Sequence, residues 1–60
     1  MKVKYLVAFI FDKVSIYKES GDEFVTLYDG KYDAIPSNIL EMEVRIIGAK
    51  RKGIIDIEVY

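Results

Sequence analysis

Three consecutive cations, Lys50-Arg51-Lys52, stand directly before Gly53 and form the most pointed chemical feature of the chain. Cations at a hairpin tip, where a glycine permits close approach, can grip phosphate through charge-assisted hydrogen bonds. Arg45 and the polar groups near Ser37 and Asn38 are the candidates to complete such an anion site. A solubilising turn is the plain alternative for the same three residues. Tyr5, Tyr17, Tyr28, Tyr32 and Tyr60 are the second feature, many for so short a chain. A tyrosine ring is apolar in body and polar at its tip, which suits binding surfaces, and aromatic rings stack on bases. Most tyrosines on strands simply cover a core or an interface. Tyr28 and Tyr32 flank Asp29-Gly30, and of the five they are the two expected to be exposed.

Other chemistries find little support. Nucleophilic catalysis needs an activated Ser, Cys, Thr or Lys beside a base, usually His. The chain has no His and no Cys, and Ser15, Ser20, Ser37 and Thr26 fall at strand, turn and cap positions. Two carboxylate pairs, Glu41 with Glu43 and Asp56 with Glu58, are each spaced to share a strand face. They read as the solvated face of an amphipathic hairpin, with Arg45 balancing Glu58. A cation site needs four or more converging oxygens, and only Asp29 and Asp33 would add to the supply. The expectation is a protein that is not an enzyme and has no metal site and no cofactor.

Composition narrows the class further. A chain of 60 residues makes one domain, 1–60, at the small end of what folds alone. Such a chain buries only about 60% of the surface that its unfolded form exposes, so its core is marginal. Small domains usually add a disulfide, a metal, an exceptional core or a partner subunit, and without Cys or His only the last two remain. With 52% hydrophobic residues, self-association into a homo-oligomer is expected. A net charge of −1 argues against a general nucleic-acid binder, because affinity there depends on neutralising many phosphates. Lys2 and Lys4 before an apolar run imitate a signal peptide, but Tyr5 to Phe11 is short and Asp12 ends it without a cleavage site. The run is also too short to span a bilayer, so a cytoplasmic protein without a membrane role is expected.

The periodicity is mostly two. Lys2 to Asp12 alternates, with both faces apolar from Leu6 to Ile10, as a strand does when it is covered on both sides. Val14–Glu19 and Glu23–Tyr28 are β-branched and aromatic runs around Ser20-Gly21-Asp22, a hairpin of undetermined register. Asp29-Gly30 is a turn signal that would send Lys31–Ala34 back along the preceding strand. Ile35, Ile39 and Met42 share one helical face, Pro36 suits the entry, and Asn38 with Glu41 is spaced as a capping box. In the final hairpin, a loop over Lys50-Arg51-Lys52-Gly53 sets Val44 opposite Val59, Ile46 opposite Ile57 and Arg45 opposite Glu58. The expected fold is mainly β: about five strands in an antiparallel meander or small barrel, with one short helical turn at residues 36–42.

The strings Leu27-Tyr28-Asp29-Gly30, Asp33-Ala34-Ile35-Pro36, Ile39-Leu40-Glu41-Met42-Glu43-Val44 and Ile55-Asp56-Ile57-Glu58-Val59 carry a resemblance. Over roughly residues 24 to 60 the chain resembles small uncharacterised proteins of phages and prophages of Gram-positive bacteria. The resemblance implies an accessory phage protein that binds a host enzyme or immune factor, or that sequesters a nucleotide signal of host defence. It fixes no functional residue. The leading expectation is therefore a non-catalytic anti-defence protein, homo-oligomeric, that captures a cyclic or other small phosphate-bearing nucleotide between subunits in the host cytosol. Lys50, Arg51, Lys52 and Arg45 would hold phosphates, and Tyr28 or Tyr32 would cover a base. The alternatives are an inhibitor that docks on a host protein through a sheet edge and tyrosine surface, and a small nucleic-acid-binding β-barrel.

Overall fold

Val3, Leu6, Val7 and Ile10 recur at intervals of three and four, the spacing of one helical stripe. In a computed structural model, which describes all 60 residues, Val3–Val7 is accordingly a short helix, α1, and not the expected strand. Leu6 to Ile10 is apolar in every register, so alternation alone could not separate the two periods. The start of α1 is held by the chain that follows residue 41. Val3 N–H donates to the Met42 carbonyl at 2.9 Å, and Val44 N–H donates to the Met1 carbonyl at 2.7 Å.

Four strands follow: β1 (Lys13–Ser20), β2 (Glu23–Lys31), β3 (Val44–Arg51) and β4 (Ile54–Val59), with α2 (Ser37–Leu40) between β2 and β3. They form one sheet in the order β2-β1-β4-β3. Each hairpin is antiparallel, and the two hairpins join through parallel pairing of β1 with β4, from Lys13 opposite Ile54 to Lys18 opposite Val59. The result is a four-stranded mixed sheet, open at β2 and β3, in place of the expected five-stranded meander or barrel. Two segments account for the difference. The N-terminal run is spent on α1, and Asp29-Gly30 does not turn: Asp29 pairs with Ser15 and Gly30 with Val14 inside β2. Gly30 serves the approach of a ring instead, since a Cβ there would stand 3.0 Å from the Tyr28 hydroxyl.

The turns show where backbone chemistry did decide. Ser20 pairs with Glu23, leaving Gly21-Asp22 as a two-residue loop with Gly21 at φ 63°. Positive φ at the first loop residue is the glycine position of a type II′ hairpin turn. In the second hairpin Gly53 has φ 75°, the left-handed conformation expected of it. Its register begins as expected, Val44 opposite Val59, and then slips at a bulge after Val44. Ile46 therefore faces Glu58 and Ile47 faces Ile57. A second irregularity after Gly48 leaves Arg51 opposite Ile54, so β3 runs through Lys50 and Arg51 and only Lys52-Gly53 turns. Bulges let one strand carry extra residues without breaking the match of its ends, a freedom that a fixed-register argument omits.

One face of the sheet is covered. Val14 and Ile16 from β1 and Ile57 and Val59 from β4 pack with Val3, Ile10, Ile35 and Ile39. Burying each of these side chains stabilises the fold by about 1.5–3 kcal/mol. Ile35 and Ile39 reach this core and Met42 packs against it, so the helical turn forms on the expected face. Its cap is not the expected one. Pro36 is the N-cap, Asn38 lies within α2, and Glu41 ends the helix and turns to Lys2 at 3.0 Å and Lys4 at 2.7 Å. The opposite face, which carries Ser15, Tyr17, Asp56 and Glu58, has no helix over it. No helix of the chain is long and apolar enough to cross a membrane.

Candidate functional site

The residues expected to bind phosphate are dispersed. Arg51 Nη2 stands 3.0 Å from Asp56 Oδ1. Arg45 hydrogen-bonds Glu58, whose side chain is only 5% exposed, and lies 3.9 Å from Glu19. The Glu58 hydrogen bond, and the nearby charge of the same carboxylate, hold the Arg45 guanidinium above its ordinary pKa. A guanidinium set between two carboxylates does not offer itself to a third anion. Lys50 borders the open face and Lys52 sits exposed in the turn. Ser37 and Asn38 are exposed on α2, which belongs to the covered side because its Ile39 enters the core. The basic turn and the α2 amides thus lie on different sides of the sheet and do not form one site.

The two tyrosines also differ from expectation. Tyr28 is half-buried against the core, and its hydroxyl donates to the Lys31 carbonyl at 2.6 Å. It is a structural ring, not an exposed one. Tyr32 is half-buried as well, and its ring forms an edge-to-face pair with Phe11, with centroids 5.7 Å apart.

That contact marks the place where exposed chemistry does converge. Ile10 enters the core and so fixes the segment between α1 and β1, while its neighbours Phe9 and Phe11 are 84% and 80% exposed. These are the two most exposed large apolar side chains of the molecule. Beside them Phe11, Asp12, Lys13, Lys31, Tyr32 and Asp33 line an open depression of about 350 Å³. Lys13 and Lys31 are directly opposite each other on the β1–β2 ladder. Like charges so placed are destabilising. Neither lysine is in an ion pair with a carboxylate.

Phe9, Phe11, Lys13 and Lys31 were not singled out from the sequence. Alternation counts the phenylalanines into a strand, and the Asp29-Gly30 signal puts Lys31 after a turn that does not form. The helical stripe of Val3, Leu6, Val7 and Ile10 was the available signal, because it throws Phe9 and Phe11 outward.

No protein-family model, curated protein or solved structure matches this chain.

The carboxylate pairs are occupied by cations. Glu41 is held by Lys2 and Lys4, Glu43 by the Met1 amino group at 2.9 Å, Asp56 by Arg51 and Glu58 by Arg45. The hydrogen bond from Lys4, seconded by that from Lys2, pulls the Glu41 carboxyl below its ordinary pKa. The same contact raises the Lys4 ammonium. No three acidic side chains converge in the manner of a metal site.

Proposed function

We propose that this chain is a non-catalytic interaction protein, an accessory protein of phage type, that inhibits a host protein by docking the Phe9–Phe11 segment into it. The observation that supports this reading is the pair of phenylalanines, 84% and 80% exposed on either side of a buried isoleucine. A chain with few buried residues gains nothing for its own fold from two rings in water. Aromatic side chains held by a rigid neighbour are the usual anchors of protein interfaces, where a few residues carry most of the binding energy. Tyr32 extends the anchor, and Lys13 and Lys31 at its edge favour an acidic rim on the partner.

Affinity purification from host cells tests it, comparing the native chain with a Phe9→Ser/Phe11→Ser double variant. A protein retained by the native chain and lost with the double variant is the expected result. Retention by both variants, or by neither, would overturn the placement.

A second reading, capture of a small phosphate-bearing nucleotide, is favoured by one observation of its own. Two free lysines face the depression that Tyr32 and Phe11 border, so a base between rings and a phosphate on the lysines fit the same place. Asp12 and Asp33 in the same lining oppose it. Calorimetric titration with cyclic and linear nucleotides separates the two readings. Binding that is lost in Lys13→Ala/Lys31→Ala but kept in Phe9→Ser would favour the nucleotide.

A further inference from the structure

The side of the sheet that bears no helix has the make-up of an interface. Along β1 its residues are Lys13, Ser15, Tyr17 and Glu19, and from β2 come Lys31, Asp29, Thr26 and Phe24, fixed by their ladder partners. From β4 and β3 come Asp56 with Gly48 and Glu58 with Ile46. The apolar side chains of this face are Tyr17 on β1, Phe24 on β2 and Ile46 on β3, around the arginine-paired Asp56 and Glu58 of β4. Tyr17 meets Phe24 edge-on at 5.4 Å, Phe24 is 61% exposed, and Ile46 is half exposed. These residues and Lys50 border a concavity of about 430 Å³. Glu58 lies at its floor, already neutralised by Arg45, so covering this face would strand no charge there.

We infer that this face binds a second copy of the chain, sheet on sheet, about a two-fold axis that lies between the sheets and across the strands. Such an axis stacks each strand on its own copy, running the other way. Two observations select this occupant. The first is charge: β1 carries an unpaired Lys13 at one end of the face and Glu19 at the other, about 20 Å apart. Reversal of the strand sets Lys13 over Glu19 of the second copy, twice over, adding to the Arg45 that stands 3.9 Å from Glu19. The Asp56 and Glu58 that this reversal stacks are each already paired with an arginine. The same operation sets Phe24 over Lys31 of the second copy, a favourable cation–ring contact.

The second observation is area. Four strands spaced ~4.8 Å apart and seven residues long at ~3.3 Å each present roughly 440 Å² per copy. Two such faces bury about 900 Å² before side-chain relief is counted, close to the ~1,000 Å² that a specific interface requires. The dimer is therefore of the reversible class, and turning one of its cross-copy contacts repulsive decides it. The face shares Lys13 and Lys31 with the edge of the proposed docking segment but not its anchors, so Phe24→Lys tests the dimer without touching Phe9 or Phe11.

Sedimentation velocity of the full chain from micromolar to millimolar concentration, with far-ultraviolet circular dichroism on each variant, is the test. The native chain should approach twice the 6.9 kDa of one copy. Phe24→Lys is a suitable disruptor, since in the folded monomer the new lysine faces Glu19 on the ladder and is well tolerated. In the dimer it would face Lys31 and raise the dissociation constant by ~30-fold or more. Lys13→Glu alone and Glu19→Lys alone should each weaken the dimer, and the two together should restore it. A native chain that stays monomeric at millimolar concentration would overturn the inference. So would a double charge exchange no better than the single changes.

Discussion

Phe9 and Ile57 are both large and apolar, yet the fold assigns them opposite energetic roles, and truncating each to alanine measures the difference. Phe9 is 84% exposed, so only about a sixth of its surface, roughly 30 Å² of the ~200 Å² of a phenylalanine, is covered. At ~25 cal/mol per Å² the Phe9→Ala change removes at most ~0.8 kcal/mol. Ile57 is fully buried between β1 and β3 and in the core, and an Ile→Ala change there costs about 2–5 kcal/mol. A chain of this length has a total stability of roughly 3–9 kcal/mol, so Ile57→Ala alone comes near to unfolding it. Urea denaturation followed by circular dichroism provides the assay. The Phe9→Ala midpoint should stay close to that of the native chain with an unchanged slope, while the Ile57→Ala midpoint falls by half or more. If Phe9→Ala cost as much as Ile57→Ala, Phe9 would be a core residue. The N-terminal run would then be a covered strand, and the argument for an aromatic anchor would fail.

Acid titration of the thermal midpoint should show the Glu41 contribution. Its carboxyl has a lowered pKa in the fold, so its stabilising effect is present above the ordinary carboxylate pKa and is lost as pH falls through the lowered one. Glu41→Gln should remove that part of the acid dependence and leave the midpoint flatter across that window. At the alkaline end the raised Lys4 ammonium contributes fully below the ordinary lysine pKa, and its contribution is lost as pH rises through the raised value; Lys4→Met should abolish that loss. Arg45→Met, which leaves the buried Glu58 without its cation, should melt below Arg45→Met/Glu58→Leu, where both charges are gone; equal melting of the two would refute the pair's importance. Gly53→Ala should destabilise by about 1 kcal/mol, because φ is 75° there, and a neutral result in thermal melts would contradict that backbone conformation.

Both hairpins were legible in the sequence because their glycines and flanking β-branched runs act locally. The helical turn after Pro36 was legible from Ile35, Ile39 and Met42, although Asn38 and Glu41 proved to have other partners. What was not legible depends on contacts far apart in the chain. Nothing near Val3 states that Met42 will accept its amide, which is what commits the N-terminal run to α1. Asp29-Gly30 has the composition of a turn, but pairing with Ser15 and Val14 carries β2 through it. The candidate surface suffered accordingly. Of the three consecutive cations only Lys52 lies in the turn, because the bulges carry β3 through Lys50 and Arg51. Arg45 has the Glu58 partner expected of it, whereas Arg51 is engaged by Asp56, which only the observed β3–β4 register brings near. Phe9, Phe11, Lys13 and Lys31 meet only once α1 and the full length of β2 are known.

The parallel pairing of β1 with β4 has a consequence for how the chain reaches this state. Lys13 finds its partner at Ile54, some forty residues downstream, so the central seam cannot form until β4 has been synthesised. Until β4 leaves the ribosome, the β1–β2 hairpin presents Val14 and Ile16 without a cover. Contacts of such long sequence separation slow folding, because the loop must be closed before any pairing rewards it. The chain should therefore depend on an intact C-terminal strand for any native structure at all. During that wait its fate would be shared with chaperones and with neighbouring nascent copies.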